Sequence, residues 1–311
     1  MRQQRFIAGL ALLLSAASIT LAAAEKKVEK EINVGSFNGL VATNAMEIEF
    51  SQGPKKVTVI GTAESVDRLK AEVKNSNLTL SYHGYDDEIK VRVSNPNLDR
   101  IDLSGAVEMD VLTNLSVNDL VVKMAGATEL SVKNIKCAKL SVDAAGSSEI
   151  EGKDLSCNSL SIALVGASDF KLNDVKAPEI SIMASGGSEI KIETIGCTTF
   201  DSQLSGACDI KVQTLSAVTV NSQCSGSSEF MPSKLTASEV SVGLSGASES
   251  AIPKLDAKKL KIIASGASEA KMGGHVGEAT VKASGASEID VRNLKRDSLK
   301  KSTSGMASID E

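Results

Sequence analysis

The chain has 311 residues, room for two ordinary domains or one long repetitive array. Its formal net charge is −5, from 34 Lys+Arg against 39 Asp+Glu, which excludes the concentrated basic face of a nucleic-acid binder. Aromatics are 3%, with no Trp, two Tyr and only two His (His83 and His275), so a sugar site of stacked rings, a His-rich metal site and a Ser/His/Asp arrangement all lack material.

Residues 1–24 read as a secretory signal peptide. Arg2 and Arg5 form a positive start, 7–14 is an apolar run, and Leu21-Ala22-Ala23-Ala24 offers a small-residue cleavage site before Glu25. The apolar run is short of the about 20 residues that a membrane span needs, and no later segment is apolar enough for a transmembrane helix. The expectation is an exported protein of the periplasm, the outer-membrane surface or the medium. Removing Arg2 and Arg5 takes the charge from −5 to −7. Export also predicts an oxidising compartment, where disulfides persist. The five cysteines (137, 157, 197, 208 and 224) are an odd number without CxxC spacing, so zinc and thioredoxin-like chemistry are not signalled.

Residues 25–97 read as an N-terminal cap of mixed β character. Segments 37–50, 56–60, 78–82 and 89–93 alternate like strands. Segment 63–73 reads as a short helix, with Thr62 as N-cap and Val66, Leu69 and Val73 on one face. His83 with Tyr82, Tyr85, Asp86 and Asp87 is the densest polar-aromatic cluster, placed in a loop between cap strands.

From residue 98 to 311 a unit of about 20 residues repeats. A glycine flanked by small residues recurs at 105, 126, 146, 166, 186, 206, 226, 246, 266, 285 and 305, at intervals of 21, seven of 20, then 19 and 20. Around each glycine the apolar residues alternate with period two, a strand signal. Six before it stand Leu120, Leu140, Leu160, Ile180 and Phe200; four after it stand Leu130, Ile150, Phe170, Ile190, Ile210 and Phe230. A 20-residue unit cannot bury its own apolar side, but stacked units can. The expected fold is therefore all-β: a right-handed parallel β-helix (solenoid) of about eleven coils, roughly 50 Å long at one strand spacing per coil. Gly126, Gly146, Gly166, Gly186, Gly206, Gly226, Gly246 and Gly266 are expected to form a narrow, inward-facing corner where no larger side chain fits.

Stacking turns the repeat into columns. Three after each glycine stands an acid: Glu129, Glu149, Asp169, Glu189, Asp209, Glu229, Glu249 and Glu269, extended by Glu108 and Glu288. In register, neighbours about 5 Å apart repel by roughly 1 kcal/mol even in a water-like dielectric. Lys171, Lys191, Lys211 and Lys271, two residues further on, would offset this, and bridging Ca²⁺ is the alternative. Thr128, Ser148, Ser168, Ser188 and Ser228 share an inward column of hydroxyls, read as structural. Ser185, Ser205, Ser225, Ser245 and Ser265, just before their glycines, make a strip of small residues able to dock an extended partner. Cys137 and Cys157 should be stacked neighbours, where a disulfide is conceivable.

Several of these motifs resemble a bacterial family, the autotransporter-adhesin head or GIN domain. They are Phe37-Asn38-Gly39-Leu40, the Gln52-Gly53 turn followed by Val57-Thr58-Val59, and the recurrent Ser-Gly-x-x-acid-apolar units. The resemblance covers about 37–311. Where family members often have a second glycine, this chain mostly has serine: Ser148, Ser168, Ser188, Ser228. The resemblance implies a secreted or envelope β-helix and supplies no mechanism. No residues are left over for a membrane translocator barrel, so a self-transporting autotransporter is not expected.

The functional expectation is a non-catalytic exported solenoid that presents a repetitive surface to a glycan or protein partner, without cofactors. The alternatives are a glycan-processing enzyme on the same scaffold, which needs a cleft of converging carboxylates and basic residues, and a Ca²⁺-dependent adhesin. Coils of nearly uniform length leave no long loop to build a groove.

Overall fold

The computed structural model describes residues 27–84 and 89–311. The segment read as a signal peptide, and Tyr85, Asp86 and Asp87 of the polar cluster, lie outside the described residues.

Each repeat unit forms two strands. Lys139–Gly146 runs up to its glycine, a two-residue corner follows, and Glu149–Ser156 leads to the next coil. Every strand pairs in parallel with its counterpart one unit later: Leu140 with Leu160, Gly146 with Gly166, Ile150 with Phe170. Constant spacing keeps like residues on like, which is what lets one 20-residue pattern fill a continuous core. The second strand bends near its middle. Pairing skips Lys153, between Gly152–Leu172 and Asp154–Asp174. The bend explains why Ile150 and Leu155, an odd number of residues apart, are both buried. The result is a parallel β-solenoid of about eleven glycine-marked turns. Its interior stacks Leu, Ile, Val and Phe, with the rings of Phe200 and Phe230 6.0 Å apart.

The N-terminal segment holds β1 (Val28–Glu31), β2 (Gly39–Gln52), β3 (Lys56–Gly61), α1 (Ala63–Arg68), β4 (Leu69–Lys74), β5 (Asn77–Tyr82) and β6 (Lys90–Asn95). β2 is itself a rung of the solenoid. It lies parallel to β7 (Arg100–Val111), with Leu40 against Ile101 and Ile48 against Met109. β5 and β6 pair in parallel with the other edge of β2, and β1, β3 and β4 add antiparallel strands beyond them. The exposed edge of the first rung is thereby covered.

The helix expected over 63–73 is shorter. Thr62 caps it as expected, its hydroxyl accepting from the Ser65 amide at 3.1 Å. The helix ends at Arg68, and β4 pairs antiparallel with β5 from Leu69–Tyr82 to Lys74–Asn77. Asn75 and Ser76 close this hairpin with positive φ at both residues (49° and 61°), the geometry of a type I′ turn. That turn, with Leu78 and Leu80 to pair against, overrides the helical spacing of Val66, Leu69 and Val73.

At the other end, the shortened 19-residue interval is absorbed as a register shift between Ile252 and Leu255 where Gly273–Gly274 pass, leaving His275 on the surface. Lys301 stands in register with buried Val281, so a charge occupies a core column on the last full rung. It is exposed and ion-paired to Glu311, which also meets Arg296 at 3.3 Å. Arg296 donates to the carbonyls of Val291 (3.1 Å) and Leu294 (2.9 Å) across this end.

Candidate functional site: an ionic ladder beside a glycine corner

The corner glycines have φ between 75° and 98° from Gly105 to Gly305, Gly274 aside. They do not face inward, contrary to expectation; most are exposed. What requires glycine is the left-handed backbone and the approach of one rung to the next. A Cβ on Gly186 would lie 2.5 Å from the Gly166 carbonyl oxygen. The same carbonyls accept from the residue after the next glycine: Gly126 from Ser147 at 2.8 Å, Gly166 from Gly187 at 2.7 Å.

Two residues past each glycine, the hydroxyl column is buried from Thr128 to Ser287, and Cys208 takes one place in it. Its partners are backbone carbonyls across the corner and other hydroxyls. Ser148 donates to Ala145 at 2.9 Å and lies 3.1 Å from Thr128; Ser228, Ser248, Ser268 and Ser287 each donate to the carbonyl three residues earlier at 2.9 Å. These serines close the corner. They are not positioned as nucleophiles, because their hydroxyls are already bonded to the backbone.

Three residues past each glycine the acids stand in one unbroken column. Register runs Glu108–Glu129–Glu149–Asp169–Glu189–Asp209–Glu229–Glu249–Glu269–Glu288. Sequence reasoning missed its first member: Glu47 of β2 pairs with Glu108. The missing signal was Asn44, which takes the place of the glycine three residues before it.

Lysines neutralise the middle of the column. Lys171 pairs with Glu149 and lies 3.6 Å from Asp169 and 3.7 Å from Glu151. Lys211 bridges two rungs, 2.9 Å from Glu189 and 3.1 Å from Asp209, and Lys191 meets Glu189 at 2.6 Å. Lys271 pairs with Glu269. At the top, Lys90 pairs with Glu47 and Glu49, and Arg92 with Glu49 at 2.8 Å. Hydrogen bonds from these cations hold Glu149, Glu189 and Glu49 below the usual carboxylate range. Two acids behave oppositely. Partial burial, then neighbouring carboxylates, push Glu129 and Glu229 up. Among the described residues no group of three or more His, Cys, Asp or Glu is arranged to hold a metal ion.

Cys137 and Cys157 are adjacent on successive rungs and all five thiols are free. The Cys137 thiol donates to Cys157, which raises the former and lowers the latter. Burial pushes Cys197 and Cys224 up to about 11.

Several open depressions lie on the outside of the described residues. One, of about 670 Å³, follows the lysine column Lys171–Lys191–Lys211 between Glu151 and Glu193. A second, of about 760 Å³, lies on the strands that precede the glycines; Lys261 is its one charged lining residue, and no carboxylate or histidine reaches it. A third, of about 740 Å³, is lined by Asp256, Lys258, Lys259, His275, Glu278 and Asp297. No described helix is long and apolar enough to cross a membrane.

Fold and surface together define a class: a parallel β-solenoid with a partly neutralised acidic ladder along one corner. The chain belongs to the family described as "Putative auto-transporter adhesin, head GIN domain", whose model matches residues 36–194, 156–254 and 234–310. No curated protein matches. Among solved structures, the chain is similar to a "putative adhesin" from Parabacteroides distasonis ATCC 8503 (15% identity, 91% of this chain and 98% of that one, TM-score 0.42). It is also similar to a "putative adhesin" from Parabacteroides merdae ATCC 43184 (14% identity, 92% and 96%, TM-score 0.42) and to a "putative lipid binding protein" from P. distasonis (13% identity, 91% and 96%, TM-score 0.36).

Proposed function

We propose that the protein is a non-catalytic, exported solenoid that presents its long ionic face to a glycan or protein partner at the cell envelope. Family membership supports an adhesion-like role. The observation that carries the reading is the ladder itself: acids at fixed spacing over ten rungs, with Lys171, Lys191, Lys211 and Lys271 beside them, form a periodic acidic strip with a mixed-charge middle, suited to a partner that is itself periodic. Acid–base catalysis wants two groups whose environments push their pKa values apart across a substrate cleft. Here the lowered and raised acids lie along one open strip, the depression on the strands before the glycines has no carboxylate, and the depression lined by Asp256, Lys258, His275, Glu278 and Asp297 is where the glycan-processing alternative would have to act.

The test is a glycan array and a cell-binding assay with the secreted chain, beside a variant carrying Lys171→Glu, Lys191→Glu and Lys211→Glu. The reading expects binding that the variant loses while its circular dichroism stays unchanged. Release of sugar from any polysaccharide would overturn it in favour of the glycan-processing alternative. Ca²⁺ bridging belongs to the same strip, between Glu108 and Glu129 or Glu229 and Glu249, where no lysine intervenes. Calorimetry with Ca²⁺ on the same protein decides it: heat and a raised melting temperature support it, and the absence of both refutes it.

A further inference from the structure

The outer face formed by the strands preceding the glycines carries a pattern that repeats itself in reverse. Three residues before each glycine, one register column runs from Asp102 and Lys123 to Ser302, and its central eight rungs read Asp143, Ala163, Met183, Gln203, Gln223, Gly243, Ile263, Lys282. Turned end for end and laid on itself, the column sets acid on base, small on large and amide on amide: Asp143 on Lys282, Ala163 on Ile263, Met183 on Gly243, Gln203 on Gln223. Each match occurs twice, as a two-fold axis requires.

We propose that this face is a homodimer interface, in which a second copy of the chain stacks on it with its solenoid axis antiparallel and the two-fold lying between the rungs of Gln203 and Gln223.

Five observations carry it. Met183 is 51% exposed, Ile263 42% and Val165 55%; of the six large apolar side chains that stand exposed among the described residues, these three share this one face. The opposites of Met183 and Ile263 in the inverted column are the small residues Gly243 and Ala163, which leave notches in it, and Gly243 lines the 760 Å³ depression beside Ile263. Gln223 leans over that notch, its Oε1 reaching the space that a Gly243 Cβ would fill, and being exposed it is free to swing onto Gln203 of the second copy. In the two flanking columns Asp201 meets Asn221, Ser185 meets Ser245, Ser205 meets Ser225 and Lys261 meets Ser161; at the strand starts beyond them Lys139 meets Glu278, and Glu179 meets Glu239, whose charge Lys259 already pairs at 3.0 Å. Finally, eight rungs by about five residues give a face of roughly 35 by 17 Å, about 600 Å² per copy and 1,200 Å² in total, which reaches the lower bound of specific interfaces. An extended glycan on the same face would gain from the serine strips but would leave the inverted charge and size pattern without a role.

The test is sedimentation equilibrium on the full chain as secreted by an expression host. The proposal expects a dimer whose dissociation constant rises at least about tenfold in Asp143→Lys and in Lys282→Asp, because each places like charges opposite twice. Mixing the two variants should restore dimer. One copy then carries lysine at both positions and the other aspartate at both, so each contact again sets acid against base. Both positions are exposed, so melting curves of the isolated variants should match the parent. A parent that stays monomeric at about 100 μM overturns the proposal, as does a dimer that neither charge reversal weakens. Restoration by mixing fails if the copies stack parallel or the dimer uses another face, and that result overturns it as well.

Discussion

Asn44 and Gly105 are register partners, and both adopt left-handed backbone, with φ of 77° and 95°. The glycine column therefore begins with an asparagine, the non-glycine residue best able to tolerate that region. Asn44 also offsets its strain, since its side-chain amide donates to the Tyr82 carbonyl at 2.7 Å and ties the first rung to β5. Asn44→Gly relieves the backbone but loses this bond, so it should change stability by less than about 1 kcal/mol. Asn44→Ala loses the bond and keeps the strain, and should destabilise by about 1–2 kcal/mol. Urea unfolding of the two variants checks the ordering.

Mid-column the cost is larger. Gly186→Ala forces an L side chain to φ 93° with its Cβ against the Gly166 carbonyl, where only backbone movement relieves the clash. The expected loss is about 2–4 kcal/mol. Gly187→Ala, the next residue, has open space around its Cβ and should be nearly neutral. A melting comparison of this adjacent pair separates the corner's requirement from a general preference for glycine.

These cases also mark what the sequence could tell. The parallel stacking, the core columns and the acid ladder were legible because a fixed interval leaves parallel register no choice: one slip would turn every Leu and Ile outward. Glu47 escaped because the interval from Asn44 to Gly105 is three units long and the marker is not glycine. The hairpin of β4 and β5 escaped because Asn75–Ser76 lacks the glycine that usually announces a type I′ turn. The face of Met183 and Gly243 escaped for a different reason. Its positions are outward, where the repeat tolerates anything, and only register shows which variations lie beside each other.

The ladder predicts opposite pH effects from two acids three rungs apart. Glu189 is held low by Lys191 and Lys211, so its ion pairs contribute stability above the ordinary carboxylate pKa and lose it as pH falls through the lowered value. Glu129 is pushed up, so its charge opposes folding at neutral pH, and the penalty disappears as pH falls through the raised value. At pH 7 Glu189→Gln should destabilise and Glu129→Gln should stabilise, each by about 0.2–1 kcal/mol. The Glu129 difference should shrink as pH falls through the carboxylate range, the Glu189 difference should persist to lower pH, and both should shrink in high salt, which thermal melts at pH 3, 5 and 7 with and without 1 M NaCl can follow.

Cys197, Cys208 and Cys224 should be slow to react. Cys208 and Cys224 are buried, Cys208 lies 3.2 Å from the Ser205 carbonyl, and burial pushes Cys197 and Cys224 up to about 11, so little thiolate exists at pH 8. A chromogenic disulfide reagent should label fewer than two thiols within minutes on the folded chain and all five in urea. Rapid labelling of Cys224 would mean that its rung opens readily.

Ser202 and Ser222 interrupt a core column that is otherwise aliphatic from Ile101 to Val281, standing in register between Ile182 and Val242. Both are buried, and the Ser202 hydroxyl donates to that of Ser222 at 2.9 Å. Such a pair contributes little net stability, because folding exchanges water for a single hydrogen bond. Removing one partner is costly, since the other remains buried with its best partner gone; Ser222 keeps only the Cys224 sulfur at 3.7 Å. Ser202→Ala should therefore destabilise by about 1–3 kcal/mol. Replacing both serines with valine restores the chemistry of the flanking rungs, and Ile182 shows that the column accepts a branched side chain of that size. The double variant should be as stable as the parent or more so. Urea midpoints of the single and double variants read the sign directly: a double loss near the sum of the single losses would show that the hydroxyls bond to groups other than each other.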